Sequence, residues 1–146
     1  MKRVSVFPII FFILFSFSIP MAFGQIQTRF RVLQASNVGD SIDPSLRDVY
    51  GELGSLFSFT SYRLLRDETL DLTLNRPVEI SSHPGRFMEV SLIELRGKLA
   101  KLRIQVVREK KVILLTEVRL PPGRTVLIGG PRHGEGVIIY AISARF

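Results

Sequence analysis

The densest group of chemically capable residues lies at positions 129–136, close to the carboxyl terminus. Successive glycines can present backbone N–H groups to an anion, and Arg124 or Arg132 would supply the positive charge. The same glycines also suit a long hairpin loop whose backbone needs positive φ at several positions. We therefore expect a loop between two strands here, and it is the first candidate for a ligand or partner site. Its members are Gly129, Gly130, Arg132, His133 and Glu135, with Arg124 nearby.

Motifs for catalysis are missing from the sequence. The chain contains no cysteine, which excludes thiolate catalysis, cysteine zinc sites and iron–sulfur clusters. His133 and Glu135 have the spacing that opens a zinc deaminase site, but that site also needs a cysteine pair. The second histidine, His83, belongs to a His-Pro-Gly turn, and its spacing indicates no shared metal site. Gly-x-Ser-x-Gly, Ser-x-x-Lys and phosphate-loop motifs do not occur. The sequence predicts a protein that is not an enzyme and uses no metal or cofactor.

The first 24 residues have the layout of a secretory signal peptide. A positively charged start is followed by an uncharged, almost wholly apolar run over residues 4–17 and by the small-residue pattern Ala22-Phe23-Gly24. We predict a signal peptide over residues 1–24 and a single domain over residues 25–146. Because residues 4–23 provide the roughly 20 residues that span a bilayer as a helix, retention as an anchor is the alternative.

Export limits the compartments in which the protein can act and the partners that it can meet. The absence of cysteine and of any Asn-x-Ser/Thr acceptor favours the periplasm or envelope of a bacterium over eukaryotic secretion. We expect no nucleic-acid partner, and membrane contact only through the signal segment. The formal net charge is +7, and loss of Lys2 and Arg3 lowers it to +5. An anionic polymer or lipid surface fits this charge, although solvation of an exposed sheet face is the simpler explanation.

One helix is predicted, over residues 44–56. Asp43 is a favourable N-cap, and Pro44 suits the first helical position because its missing N–H costs nothing there. Apolar residues then recur at spacings of three, four and seven, which places them on one helical face. Gly51 and Gly54 oppose the helix by up to about 1 kcal/mol each.

Alternating apolar and polar residues predict strands in the rest of the chain. Ala100, Leu102, Ile104 and Val106 face one way along the clearest of them, with charged residues opposite. The predicted strands cover residues 26–35, 59–65, 69–74, 78–81, 87–95, 99–108, 112–120, 125–128 and 137–144, with a turn at 66–68. Consecutive strands with short connections form an antiparallel meander. We therefore predict a mainly β (α+β) fold, in which one N-terminal helix packs on an antiparallel β-meander, sandwich-like or an open barrel.

Two short stretches resemble bacterial envelope proteins. Alternate apolar residues from Ile138 lead to a terminal aromatic, Phe146, which resembles the closing strand of outer-membrane β-barrels. Residues 123–130, Gly-Arg-Thr-Val-Leu-Ile-Gly-Gly, are similar to the glycine-bounded strand of secretins, the ring-shaped outer-membrane secretion channels. The terminal motif of secretins is missing, so no functional residue carries over. The resemblances imply only an envelope or secretion setting.

These features predict an exported, non-catalytic interaction module of the bacterial envelope or periplasm. We expect it to contact an envelope protein, in a secretion or envelope-assembly setting. One alternative is a module that binds an anionic or sugar polymer through residues 129–136. The other alternative is a small outer-membrane β-barrel.

Overall fold

Two antiparallel sheets of four strands each form the framework of the protein. The structure is a computed structural model that describes residues 24–83 and 85–146, so nearly all of the predicted signal peptide lies outside the described residues. Sheet A has the strand order β2-β1-β8-β7, and sheet B has the order β3-β4-β5-β6. The strands are β1 Gln25–Ser36, β2 Ser61–Thr73, β3 Val78–His83, β4 Arg86–Arg96, β5 Leu99–Arg108, β6 Lys111–Leu120, β7 Thr125–His133 and β8 Gly136–Arg145. The fold is therefore mainly β and sandwich-like, with one short α-helix.

The main core lies between the two sheets. Phe30 and Val32 of sheet A pack there against residues such as Leu102 and Ile104 of sheet B, and all four are buried. The predicted alternation along β5 is confirmed, because Ala100, Leu102, Ile104 and Val106 are all fully buried. A strand with one buried and one wet face produces this period of two.

A second core covers the outer face of sheet A. Residues 37–60, which we call the cap, cross this face between β1 and β2. Leu46, Val49 and Leu53 of the cap pack on Leu33 and Ile139 of the sheet. The molecule therefore has three layers in the order cap, sheet A and sheet B. Because β8 lies under the cap on one side and against sheet B on the other, it is apolar on both faces.

The predicted helix over residues 44–56 is not continuous. The structure contains a 3₁₀ turn at Pro44–Leu46 and an α-helix, α1, at Tyr50–Leu56. Asp43 caps the 3₁₀ turn by accepting a hydrogen bond from the Ser45 backbone N–H at 3.0 Å. Val49 then has φ −115° and ψ 0°, outside the helical region, and this breaks the segment. Gly51 and Gly54 lower the intrinsic helix propensity of α1, so little favours a continuous helix across the break.

The predicted turn at residues 66–68 is wrong, because these residues lie within the continuous strand β2. The charges that suggested a turn are paired instead: Arg29 of β1 binds Asp67, and Arg66 binds its neighbour Glu68. The register between β1 and β2 shifts between Val32 and Leu33, which indicates a β-bulge.

The predicted loop over residues 129–136 is also wrong in its extent. β7 continues to His133 and pairs with β8, with a register shift between Gly129 and Arg132. Only Gly134 and Glu135 remain between the two strands. The ladder with β8 satisfies backbone groups that a loop would leave to water, so pairing overrides the weak strand propensity of glycine.

No helix within residues 24–83 and 85–146 combines the length and the apolar character that crossing a bilayer requires.

Candidate functional site

The candidate residues from the sequence are distributed along β7 rather than gathered at one site. Arg124 precedes the first residue of β7, and Arg132 is next to its last residue. At the usual rise of a strand, the two backbones are about 26 Å apart. Arg124 and Arg132 therefore cannot supply charge to the same bound anion.

Two of the candidate glycines are required by packing. A Cβ atom on Gly136 would lie 1.9 Å from the Ala35 carbonyl oxygen. A Cβ atom on Gly130 would lie 2.7 Å from the ring of Tyr140. Both contacts are too close for any larger residue without movement of the chain. The close approach of β1 and of the Tyr140 ring explains these glycines without a ligand.

The remaining candidates occupy the end of the molecule where β7 turns into β8. The Arg132 carbonyl oxygen accepts a hydrogen bond from Nη2 of Arg86 at 3.3 Å, and Arg86 is buried. His133 is half-buried, and Glu135 is exposed at the rim of a shallow polar depression that also contains Arg63. Arg132 thus contributes its backbone to a contact between the two sheets, while its side chain is exposed.

The cap carries an open groove with a mostly apolar lining. Ile42, Asp43, Pro44, Arg47 and Tyr50 line a volume of about 270 Å³. Tyr50, at the edge of this groove, is 51% exposed. The groove lies beside the break between the 3₁₀ turn and α1.

Two anchors hold the cap against sheet A. The Tyr62 hydroxyl donates to the Phe57 carbonyl at 3.2 Å and lies 3.4 Å from the Leu53 carbonyl at the end of α1. Burial raises the pKa of the Tyr62 hydroxyl above its usual value. The second anchor is the ion pair between Arg31 and Asp48. A cap that is fixed in this way presents its groove in one geometry.

The Arg31–Asp48 pair joins a buried cation to a surface carboxylate. Both terminal nitrogens of Arg31 donate to Asp48, each at 2.8 Å, in a bidentate geometry. Arg31 is 2% exposed, whereas the Asp48 side chain is 53% exposed. The hydrogen bonds from Arg31 lower the pKa of Asp48, against an opposing effect of burial. Arg29 makes a similar pair with Asp67 on the same sheet face and lowers the pKa of Asp67.

Sheet B ends in a second exposed feature, which sequence analysis missed. The β5–β6 hairpin projects three exposed apolar residues and three exposed cations, which together we call the hairpin tip: Arg108, Lys110, Lys111, Val112, Ile113 and Leu115. The available signal was the unbroken apolar run over residues 112–115. A strand with one wet face should alternate, so such a run indicates either a strand buried on both faces or apolar residues on the surface.

The other end of the same sheet face is charged and internally paired. Glu117 lies 3.0 Å from Arg103 and 3.3 Å from Lys101. The hydrogen bond from Arg103 is the main cause of a lowered pKa for Glu117. These paired side chains lie on the partly exposed outer face of sheet B.

Within the described part of the chain, no group of three or more His, Cys, Asp or Glu side chains is placed to hold a metal ion. Comparison with known proteins finds no match: no family model, no curated protein and no solved structure is significantly similar to this chain.

Proposed function

We propose that the protein is an exported, non-catalytic interaction module of the bacterial envelope that contacts a protein partner through the cap groove. The observation that carries this proposal is Tyr50, half-exposed beside a preformed apolar groove. The periplasmic setting, with a role in secretion or envelope assembly, rests on the signal-peptide pattern of residues 1–24.

The residue types around the groove support a protein ligand. Tyrosine and arginine are enriched where protein interfaces gain most of their binding free energy. Arg47 belongs to no ion pair among residues 24–83 and 85–146. Asp43 is already engaged by Ser45, through both its backbone N–H and its hydroxyl. The groove thus combines an apolar lining with one available cation, which fits an apolar side chain followed by a carboxylate or carbonyl.

The alternative of polymer binding through residues 129–136 has weaker support. A polyanion is held by several cations along one track. Arg124 and Arg132 stand at opposite ends of β7, and most of the intervening residues pair with β8.

Site-specific photo-crosslinking tests the proposal. A photoreactive residue in place of Tyr50 should form one discrete protein adduct when the full chain is irradiated in the envelope of its own bacterium. The matched control is the same residue in place of Leu99, an exposed apolar residue of sheet B. Arg47→Ala should reduce the adduct formed at position 50. The proposal fails if position 50 forms no adduct, or the same adducts as position 99.

Fractionation tests the compartment separately. The signal-peptide pattern predicts a mature protein that begins at Gln25 and is recovered from the periplasm or envelope. Recovery from the cytosol with Met1 intact would contradict export, whatever the crosslinking shows.

A further inference from the structure

We propose that the hairpin tip docks on the surface of an anionic lipid bilayer. The tip belongs to sheet B, whereas the cap groove lies beyond sheet A on the other side of the molecule. The inference therefore does not depend on the cap groove or on its partner.

The apolar part of the tip continues across neighbouring strands. Leu115 is 61% exposed, and Val112 and Ile113 beside it are also exposed. The register places Val107 opposite Val112, and Phe87 opposite Val107, so an apolar row crosses three strands. Phe87 is itself half-exposed. Aliphatic and aromatic side chains at one projecting end are suited to enter the boundary between lipid headgroups and acyl chains.

The cations of the tip have no carboxylate partner within residues 24–83 and 85–146. Arg108, Lys110 and Lys111 take part in none of the ion pairs found there. One carboxylate, Glu109, shares the turn with them, and Glu89 lies farther away on β4. At the opposite end of sheet B, Lys101 and Arg103 are paired with Glu117. The positive charge of the tip is therefore available to an external anion.

A buried guanidinium adds to the positive potential at the same end. Arg86 lies opposite Arg108 in the β4–β5 ladder, and Arg108 lies opposite Lys111. Arg86 is buried, and its hydrogen bond goes to the neutral carbonyl of Arg132. Its Nη1 has no partner in the described structure. A buried charge without a counter-ion is costly, and an anionic surface at this end would offset part of that cost.

The turn between β5 and β6 carries charged residues at two positions that favour asparagine and glycine. Glu109 and Lys110 have φ of 49° and 64°, as the two central residues of a type I′ hairpin turn require. Asn-Gly is preferred there because non-glycine side chains are strained at positive φ. A lysine held in such a conformation at the extreme of the hairpin is consistent with a use for its charge.

The combination favours a bilayer over other occupants. A soluble polyanion would use the cations but would leave the apolar residues in water. An anionic bilayer uses both, because lysine and arginine contact headgroups while neighbouring aliphatic side chains enter the interface.

The absence of tryptophan from the chain gives a direct test. Leu115→Trp places a single fluorophore in the tip, and Leu56→Trp places one at a similarly exposed position of the cap. The full-length variants are mixed with vesicles of phosphatidylcholine, or of phosphatidylcholine with phosphatidylglycerol. We expect emission at shorter wavelength, and quenching by brominated acyl chains, only for Leu115→Trp and only with the anionic vesicles.

Partitioning of further variants onto the anionic vesicles then separates the contribution of the cations from that of the apolar side chains. Each cation near an anionic surface contributes about fivefold to partitioning, so Arg108→Gln with Lys111→Gln should lower it about 25-fold. Leu115→Ser should lower it about tenfold. Arg119→Gln is the matched control, because Arg119 is an exposed cation at the other end of β6 that forms no ion pair with the described residues, and the change should be under about twofold.

Several results would overturn the inference. An unchanged Leu115→Trp spectrum, an equal response to uncharged vesicles, or an equal loss with Arg119→Gln would each do so. Loss of a co-purified protein in Leu115→Ser, with no effect of vesicles, would make the tip a protein interface instead.

Discussion

Replacement of Asp48 by asparagine tests whether the cap is held by a buried charge pair. Arg31 lies between the cap and sheet A and depends on Asp48 for both of its terminal hydrogen bonds. Asp48→Asn keeps the shape of the side chain but removes the negative charge and one of the two acceptor oxygens. The guanidinium then stays buried with an incomplete set of partners, because it cannot lose its proton.

The structure sets the size of the effect. Removing one member of a fully buried pair costs about 3–5 kcal/mol, because the other charge is left in a low dielectric. Asp48 is half-exposed, so water replaces part of the lost interaction. We expect a loss of about 2 kcal/mol in the free energy of unfolding, or about 8 °C in Tm. Asp67→Asn is the control, since Arg29–Asp67 is also bidentate but both side chains are accessible, and the expected loss is about 0.5 kcal/mol.

Urea unfolding followed by far-ultraviolet circular dichroism measures both losses. The slope m should remain constant, which would attribute the change to stability rather than to a different unfolded state. Equal losses in Asp48→Asn and Asp67→Asn would refute the argument from burial. Arg31→Met provides a second check, because it removes the buried charge itself. Adding Asp48→Asn to Arg31→Met should then cost much less than it costs alone.

Three further predictions concern stability. Gly136→Ala should prevent or severely weaken folding, since the new Cβ would overlap a backbone carbonyl. Gly51→Ala has free space in α1 and should raise the free energy of unfolding by about 0.5–1 kcal/mol. Thermal melts of both variants separate the clash at Gly136 from the general effect of replacing a glycine. Lys110→Gly should raise the free energy of unfolding by about 1 kcal/mol by relieving positive φ, and an unchanged urea midpoint would contradict the turn geometry. Arg31 lowers the folded-state pKa of Asp48, so the stability from this pair is present above about pH 4 and is lost as the pH falls through the folded-state pKa. The free energy of unfolding should therefore fall less steeply with decreasing pH in Asp48→Asn than in the unsubstituted protein.

Local periodicity explains which parts of the fold the sequence predicted well. The residues of β5 alternate because each strand of sheet B has one face in the core and one in water. Most strands are found within two or three residues of their predicted positions. The N-cap at Asp43 was also correct, because capping depends on residues that are adjacent in the chain.

Pairing between distant segments explains the errors. Residues 66–68 contain charges that suit a turn, yet they extend β2 because the backbone of β1, remote in the sequence, pairs with them. Residues 129–133 contain glycines that suit a loop, yet Gly129, Arg132 and His133 pair with β8. Tertiary contacts outweigh propensities of this size, which span about 1 kcal/mol per residue.

The hairpin tip and the cap groove likewise depend both on local sequence and on contacts between distant segments. The run of apolar residues over 112–115 was visible in the sequence, but whether those residues are buried depends on what covers sheet B. Arg47 and Tyr50 fall within the single amphipathic helix predicted over residues 44–56, and the structure places the groove that they line at the interruption of that segment.

The sequence by itself determined the export pattern, the alternation of the strands and the absence of cysteine chemistry, because each is a property of neighbouring residues or of composition. The tertiary structure alone decided that β1 and β8 lie side by side at the centre of sheet A. It also decided that the cap buries Arg31 and that the hairpin tip is left uncovered. These outcomes depend on contacts between residues far apart in the chain, and no local pattern encodes them.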